Sequence, residues 1–370
     1  MQRLDIATSV ESISNVQQQR SLVNRAIQIA LERVYQFTDW PYYLQWGSIR
    51  TTATYTTGAA KVTNGSKTVT GVDTVWTSAM IGRKFRHSDE AAYYRITAVG
   101  GDTSLTIDNE YQGTTDVVGS SYTIYKDEYR LASDMDKNKT AIQIQNRVPM
   151  VDLPPGEFDK QMPVPQSYAD PIYQVQSGTK LDTYTTGTVT CSGTTITGIG
   201  TAWSSVEGLG RMSRIIIGSN AYTVKSVNSD TSITTYEALT AISVGTTYVI
   251  ELRNVIVQLY QIPDAARMLY YRYYRIPEIM ANDYDNPDMP SHWDWVLIYG
   301  ALSMTFLQKG DVTKGTEWCQ QEFEKGLALM KNKVGSFVAN RIYKKQCVDK
   351  AGSRPGVGLE RSSFDRRYSS

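Results

Sequence analysis

Few side chains in this chain are placed to do chemistry. The run Tyr270 to Arg275 reads Tyr-Tyr-Arg-Tyr-Tyr-Arg, and its rings could stack on the bases of a single strand. The same alternation suits a β-strand with Tyr270, Arg272 and Tyr274 on one face and Tyr271, Tyr273 and Arg275 on the other, which is the reading adopted. Asp283-Tyr284-Asp285-Asn286-Pro287 has the outline of a calcium loop. It puts Pro fifth and has no glycine sixth, so a solvated turn is expected. A glycosidase needs only two carboxylates roughly 5 to 10 Å apart. Glu157 and Glu237 would serve, yet nothing in the sequence singles them out. Cys319 lies on the apolar stripe of a predicted helix, where it acts as a small core residue.

Several motifs are missing. The sequence has no GxGxxG before a helix, no GxxxxGK[ST], no HExxH and no GxSxG. Cys191, Cys319 and Cys347 are far apart and form no CxxC pair, which argues against zinc or a disulfide framework and for a reducing compartment. His87 and His292 are too few for most histidine-based metal sites. The expectation is a protein with no catalytic residue, no cofactor and no metal.

The elements behind these residues are more informative. A chain of 370 residues suggests two or three domains, and 41% hydrophobic residues suffice for packed cores. Lys and Arg total 38 against 37 Asp and Glu, so no global field attracts nucleic acid. No signal-peptide core follows Met1, and no apolar run of about 18 residues could span a membrane.

An internal repeat dominates the middle of the chain. Thr56-Thr57-Gly58 and Val69-Thr70-Gly71-Val72-Asp73-Thr74-Val75-Trp76 return as Thr185-Thr186-Gly187 and Ile196-Thr197-Gly198-Ile199-Gly200-Thr201-Ala202-Trp203. Gly82-Arg83 returns as Gly210-Arg211, and Asp102-Thr103-Ser104 as Asp230-Thr231-Ser232. Tyr122-Thr123-Ile124 and Tyr248-Val249-Ile250 close the copies. Each copy alternates Thr, Val, Ile and Tyr with polar residues and turn formers, predicting a small antiparallel barrel or sandwich. Trp76 and Trp203 are read as core aromatics rather than sugar platforms, and Asp102 and Asp230 as turn residues.

Around the repeat lies a second pattern. Val23, Ala26, Ile27, Ala30, Leu31, Val34 and Phe37 share one stripe of a helix predicted over Val16 to Phe37, stopped by Pro41. A hairpin is predicted from Ser291, with Gly310 ending its first helix and Asp311 capping the second. Cys319, Phe323, Leu327, Met330 and Val334 form the second stripe. Ser336 to Ser370 holds eight Lys or Arg and three acids, little periodicity and several glycines, as expected of an arm that orders on a partner.

These pieces resemble the head-to-tail adaptor proteins of tailed bacteriophages. Phe37-Thr38-Asp39-Trp40 resembles the end of their first helix. Tyr129-Arg130-Leu131-Ala132-Ser133-Asp134-Met135 is similar to their Tyr-x-Leu-Pro-x-Asp-Phe element, with Ala132 in place of Pro and Met135 in place of Phe. Leu259 to Asp264, Tyr271 to Pro277 and Asn286-Pro287-Asp288-Met289-Pro290, followed by the hairpin, are similar to their C-terminal half. The repeat unit looks like an insertion of phage neck and tail proteins. The resemblance spans roughly Val16 to Val334.

The expected fold is α+β: a helical adaptor framework, made of an N-terminal helix and a C-terminal helical hairpin, with two inserted antiparallel β-barrel or sandwich modules. Residues 1–54, 126–183 and 251–335 would form the framework, 55–125 and 184–250 the modules, and 336–370 a basic extended arm. The resemblance implies a non-enzymatic part of the virion neck, assembled in the host cytoplasm. It would form a ring, twelvefold to match the portal protein, that extends the DNA channel and offers a platform to a tail or nozzle protein. Genome DNA would pass without sequence-specific binding, the β modules could meet tail fibres, and no membrane is involved. Arg341, Tyr343, Lys344, Lys345, Arg354, Arg361, Phe364, Arg366, Arg367 and Tyr368 are the expected portal contacts. The competing reading is a tail-associated carbohydrate-binding adhesin or glycan hydrolase.

Overall fold

The computed structural model describes residues 1–15, 19–144, 149–161 and 169–334. The chain divides into two compact units, Met1–Tyr43 with Pro277–Ser370, and Leu44–Ile276.

The first unit is helical. Helices Arg3–Ser14, Arg20–Phe37 and Asp294–Gln308 pack with a π-helical segment, Thr313–Gln320, that runs on as α-helix to residue 334. The Arg20–Phe37 stripe from Val23 to Val34 is buried. Its far end is closed by Trp40, whose Nε1 donates to the Val34 carbonyl at 2.6 Å and satisfies an acceptor that the helix leaves open. The helices approach closely at Gly300, where a Cβ would lie 2.9 Å from Ala30 Cβ and from the Phe323 ring. Gly310 takes the left-handed conformation, φ +82°, that ends Asp294–Gln308. Asp311 Oδ1 then accepts the Lys314 amide at 3.2 Å and caps the next helix.

The second unit is almost entirely β. The first repeat copy forms a seven-stranded sheet in the order Asp116–Ser120, Ala59–Val62, Thr68–Val72, Ser104–Ile107, Tyr94–Gly101, Lys84–His87, Tyr122–Tyr125. The second copy runs Ile242–Thr246, Thr188–Ser192, Thr195–Ile199, Ser232–Thr235, Asn220–Ser229, Arg214–Ile217, Tyr248–Tyr260, which is the same order of strands along the chain. Each copy closes over its own core, built on Trp76 and Phe85 in the first and on Trp203 and Ile215 in the second. Both indoles are 1% exposed. Trp76 Nε1 donates to Tyr122 Oη at 2.9 Å and Trp203 Nε1 to Tyr248 Oη at 3.0 Å, with the same 83° between rings. The Asp102 and Asp230 carbonyls accept the two indole-bearing backbones and the hydroxyls of Thr74 and Thr201. That folded-back loop needs glycine before it: a Cβ on Gly71 or Gly198 would fall 2.0 or 2.2 Å from the threonine Oγ1.

The helical framework expected from the sequence is overturned. Strand occupies 38% and helix 27% of the described residues, with the strands in large sheets. The second copy is no insert, because its last strand, Tyr248–Tyr260, continues past the repeat and pairs along its length with Tyr173–Tyr184. Glu128–Arg130 also pairs with it, and Val151–Asp152 extends the sheet to ten strands. A further sheet pairs Leu44–Arg50, Met135–Asn138 and Gln143–Ile144 with Met268–Arg275. The stretches assigned to a helical frame between the copies thus supply strands. The physical reason is plain in Tyr248–Tyr260, which buries nearly every second residue as a strand on a core does.

The Tyr129–Met135 element stitches these sheets together. Tyr129 Oη donates to the Lys126 carbonyl and accepts the Thr52 amide. Arg130 pairs with Asp182, and the Ala132 amide donates to Tyr271 Oη at 2.8 Å. Asp134 accepts Tyr273 Oη at 2.8 Å and Arg211 Nε at 3.0 Å. Just before it, buried Asp127 accepts Lys84 Nζ at 2.8 Å from the first copy and Gln258 Nε2 at 3.1 Å from the long strand.

Candidate assembly surface

Among the described residues, the helical unit carries a surface that no other element covers. Between Ile13 and Asn15, Tyr299, Leu302 and Phe306, and Trp318 and Glu322 lies a groove of about 660 Å³ with a mostly apolar wall. Trp318 stands on its rim, 71% exposed, and Ile13, Leu307 and Val312 are exposed on the same unit. The π-helical segment sets this arrangement. Its wider turn brings Gly315 under Ser303, whose hydroxyl donates to the Gly315 carbonyl at 2.8 Å, and buries Cys319 while Trp318 faces out. Lys314, Glu317 and Glu322 put both signs of charge around the groove. An apolar floor, an exposed indole and a charged rim are features that protein-binding surfaces share.

The residues weighed for chemistry are spent elsewhere. Tyr270 to Arg275 lies in the strand Met268–Arg275, flanked on both sides, with Tyr271, Tyr273 and Tyr274 buried. Burial pushes the Tyr271 phenol up to about 12. Asp283 takes Arg3 at 2.7 Å and Asp285 accepts the Asn282 amide at 2.7 Å, so the would-be calcium loop is a turn held by its own chain. Arg3 holds the Asp283 carboxyl below its ordinary range. Glu157 sits in the first turn of helix Pro155–Gln161, and Glu237 accepts the Thr223 amide. Cys191 and Cys319 are buried free thiols, both pushed up by burial. His87, Asp89 and Asp116 are a group among the described residues whose donor atoms lie close enough to share a metal ion. No spacing motif marks them, and the sequence reading missed them.

Arg341, Tyr343, Lys344, Lys345, Arg354, Arg361, Phe364, Arg366, Arg367 and Tyr368, the expected portal contacts, lie outside the described residues. The groove at Trp318 also escapes the sequence reading: the stripe from Cys319 to Met330 is buried as its period implies, but periodicity does not tell which outward residues border a groove.

No curated protein matches the chain. The family model described as SU10 adaptor protein matches residues 5–341, nearly the whole length. That span takes in both the helical unit with its exposed groove and the β unit stitched at Tyr129–Met135. The chain belongs to the SU10 adaptor protein family and is a structural adaptor of a phage virion.

Proposed function

We propose that this adaptor joins head to tail: copies form a ring under the portal protein, extend the DNA channel and present a platform to the tail or nozzle protein. Family membership supports an adaptor, and the observation that carries assembly is the groove at Trp318. Leaving an indole 71% exposed forgoes on the order of 1.5 kcal/mol or more of burial free energy in the lone chain, which a neighbouring copy would recover. Copies of mixed charge can meet there without net repulsion. A twelvefold ring would match the portal, and the basic arm 336–370 would clasp it through charge-assisted hydrogen bonds and the aromatics Tyr343, Phe364 and Tyr368. DNA passes through such a ring unread. The outer strands Asp116–Ser120 and Ile242–Thr246 would remain for tail-fibre contacts.

Two variants test this reading. Trp318→Ala should keep the melting temperature within a few degrees, because the side chain is exposed, yet weaken self-association at least tenfold in sedimentation. Deleting residues 336–370 should abolish portal pull-down while leaving DNA binding weak across a salt series. A truncated protein that still caps the portal at full affinity would show that the arm is not the clamp.

A further inference from the structure

The two repeat sheets share one strand order, so the chain contains its own comparison. His87 pairs with Tyr122 where Ile217 pairs with Tyr248. Asp116 faces Val62 where Ile242 faces Cys191. The Tyr111 amide donates to the Ser66 carbonyl where the Leu239 amide donates to Gly193. The first sheet thus places His, Asp and Tyr where the second places Ile, Ile and Leu. The fold itself asks only for carbon at these positions.

The polar set is also unsatisfied. His87 is 0% exposed, and its Nε2 lies 3.5 Å from Asp116 Oδ2. Neither atom has a hydrogen-bond partner. Buried polar atoms left in that state cost free energy and call for a ligand. Asp116 is held rigidly toward the ring, because Oδ1 accepts the amides of Gly119 at 2.8 Å and Val118 at 2.9 Å. On the other edge of the imidazole, Nδ1 lies 3.4 Å from Tyr111 Oη, a contact that leaves Nε2 as the ring atom turned toward Asp116. Asp89, with a carboxylate 60% exposed, lies 3.8 Å from Nδ1, and one donor atom from each of His87, Asp89 and Asp116 falls within 4.8 Å of the others. A 3.5 Å gap between Nε2 and Oδ2 is long for a hydrogen bond but suits two atoms each about 2.0–2.2 Å from one ion.

We propose that His87, Asp116 and Asp89 bind a divalent transition-metal ion, of the zinc or manganese kind. One imidazole with carboxylates selects these ions over calcium or magnesium, which prefer oxygen alone. The ion has a structural consequence. Asp116 opens one end of the sheet's strand order and His87 stands next to the other end, so a shared ion clamps the two ends together.

The test uses the full chain, stripped with chelator and titrated with zinc, manganese and, as a spectroscopic probe, cobalt. One ion per chain should bind and raise the melting temperature. Asp116→Asn keeps the Oδ1 acceptor and should weaken binding by about 100-fold or more. The triple variant His87→Ile, Tyr111→Leu, Asp116→Ile copies the second sheet, and should fold without metal and show no metal-dependent stabilisation. Failure of the wild-type chain to bind any of these ions up to millimolar concentration overturns the proposal. So does binding of Asp116→Asn as tight as wild type, which would put the ion elsewhere; that variant decides alone if the triple variant does not fold.

Discussion

Replacing Trp76 with alanine is expected to lower the stability of the β unit by about 3–5 kcal/mol, and Trp203→Ala should do the same. Each indole fills the centre of its sheet's core, so truncation leaves a cavity that backbone hydrogen bonds keep from collapsing. Each also donates its N–H to a buried tyrosine, whose own hydroxyl donates 2.6 Å to a threonine carbonyl, Thr57 in one copy and Thr186 in the other. Loss of the indole removes one bond of this chain and exposes its other members. Denaturant melts followed by circular dichroism would measure the loss. A variant that melts like wild type but no longer binds a glycan would mean that the indoles are a sugar platform, and the adhesin reading would then gain over the adaptor.

Asp127→Ala should be comparably severe, about 3–5 kcal/mol, because it strands the Lys84 ammonium in the interior. Lys84 and Asp127 are both nearly inaccessible, and their 2.8 Å contact joins the first repeat sheet to the strand that carries Gln258. Glu128 Oε1 at 3.2 Å and the Tyr93 ring face at 4.5 Å would be left beside Lys84. Burial opposes ionisation of Glu128, yet Lys84 and Arg95 together hold its pKa below the ordinary 4.5. A carboxylate held low in the folded chain stabilises it above about pH 4.5, and that contribution disappears as the pH falls through the lowered value. The wild type should therefore lose stability on acidification below pH 4.5. A double variant, Lys84→Met with Asp127→Leu, should recover most of what Asp127→Ala loses, since the apolar pair strands neither charge and Glu128 keeps Arg95 at 3.1 Å. If Asp127→Ala melts within a degree of wild type, the joint carries no weight.

What was legible in the sequence is what repeats or alternates over short range. Trp76 and Trp203 read as core because both copies keep them at one place between the same glycine and arginine. The stripe from Val23 to Val34 and the Gly310–Asp311 stop and start follow from helical period and capping alone. Helix Arg3–Ser14 was not legible, as only Ile6, Ala7 and Val10 mark its buried face. The ten-stranded sheet was hidden for a different reason. Tyr173–Tyr184 and Tyr248–Tyr260 pair across the 63 residues that lie between them, and nothing local announces such a partner. Segments between the repeats therefore read as extended stretches with a few strands in a helical frame, not as members of one large sheet. His87 and Asp116 were invisible because their strands carry them to one point from positions with no motif spacing. The repeat held a clue, polar residues facing isoleucines in the other copy, but it becomes readable only once strand pairing fixes which residues correspond.

Electron microscopy of the purified full-length protein, alone and mixed with its portal, tests the central claim most directly. The expected result is a ring of adaptor copies on the portal, twelvefold in class averages, with a continuous central channel, and loss of that ring with Trp318→Ala or with residues 336–370 removed. Particles that remain single chains or compact trimers and never decorate the portal would contradict it.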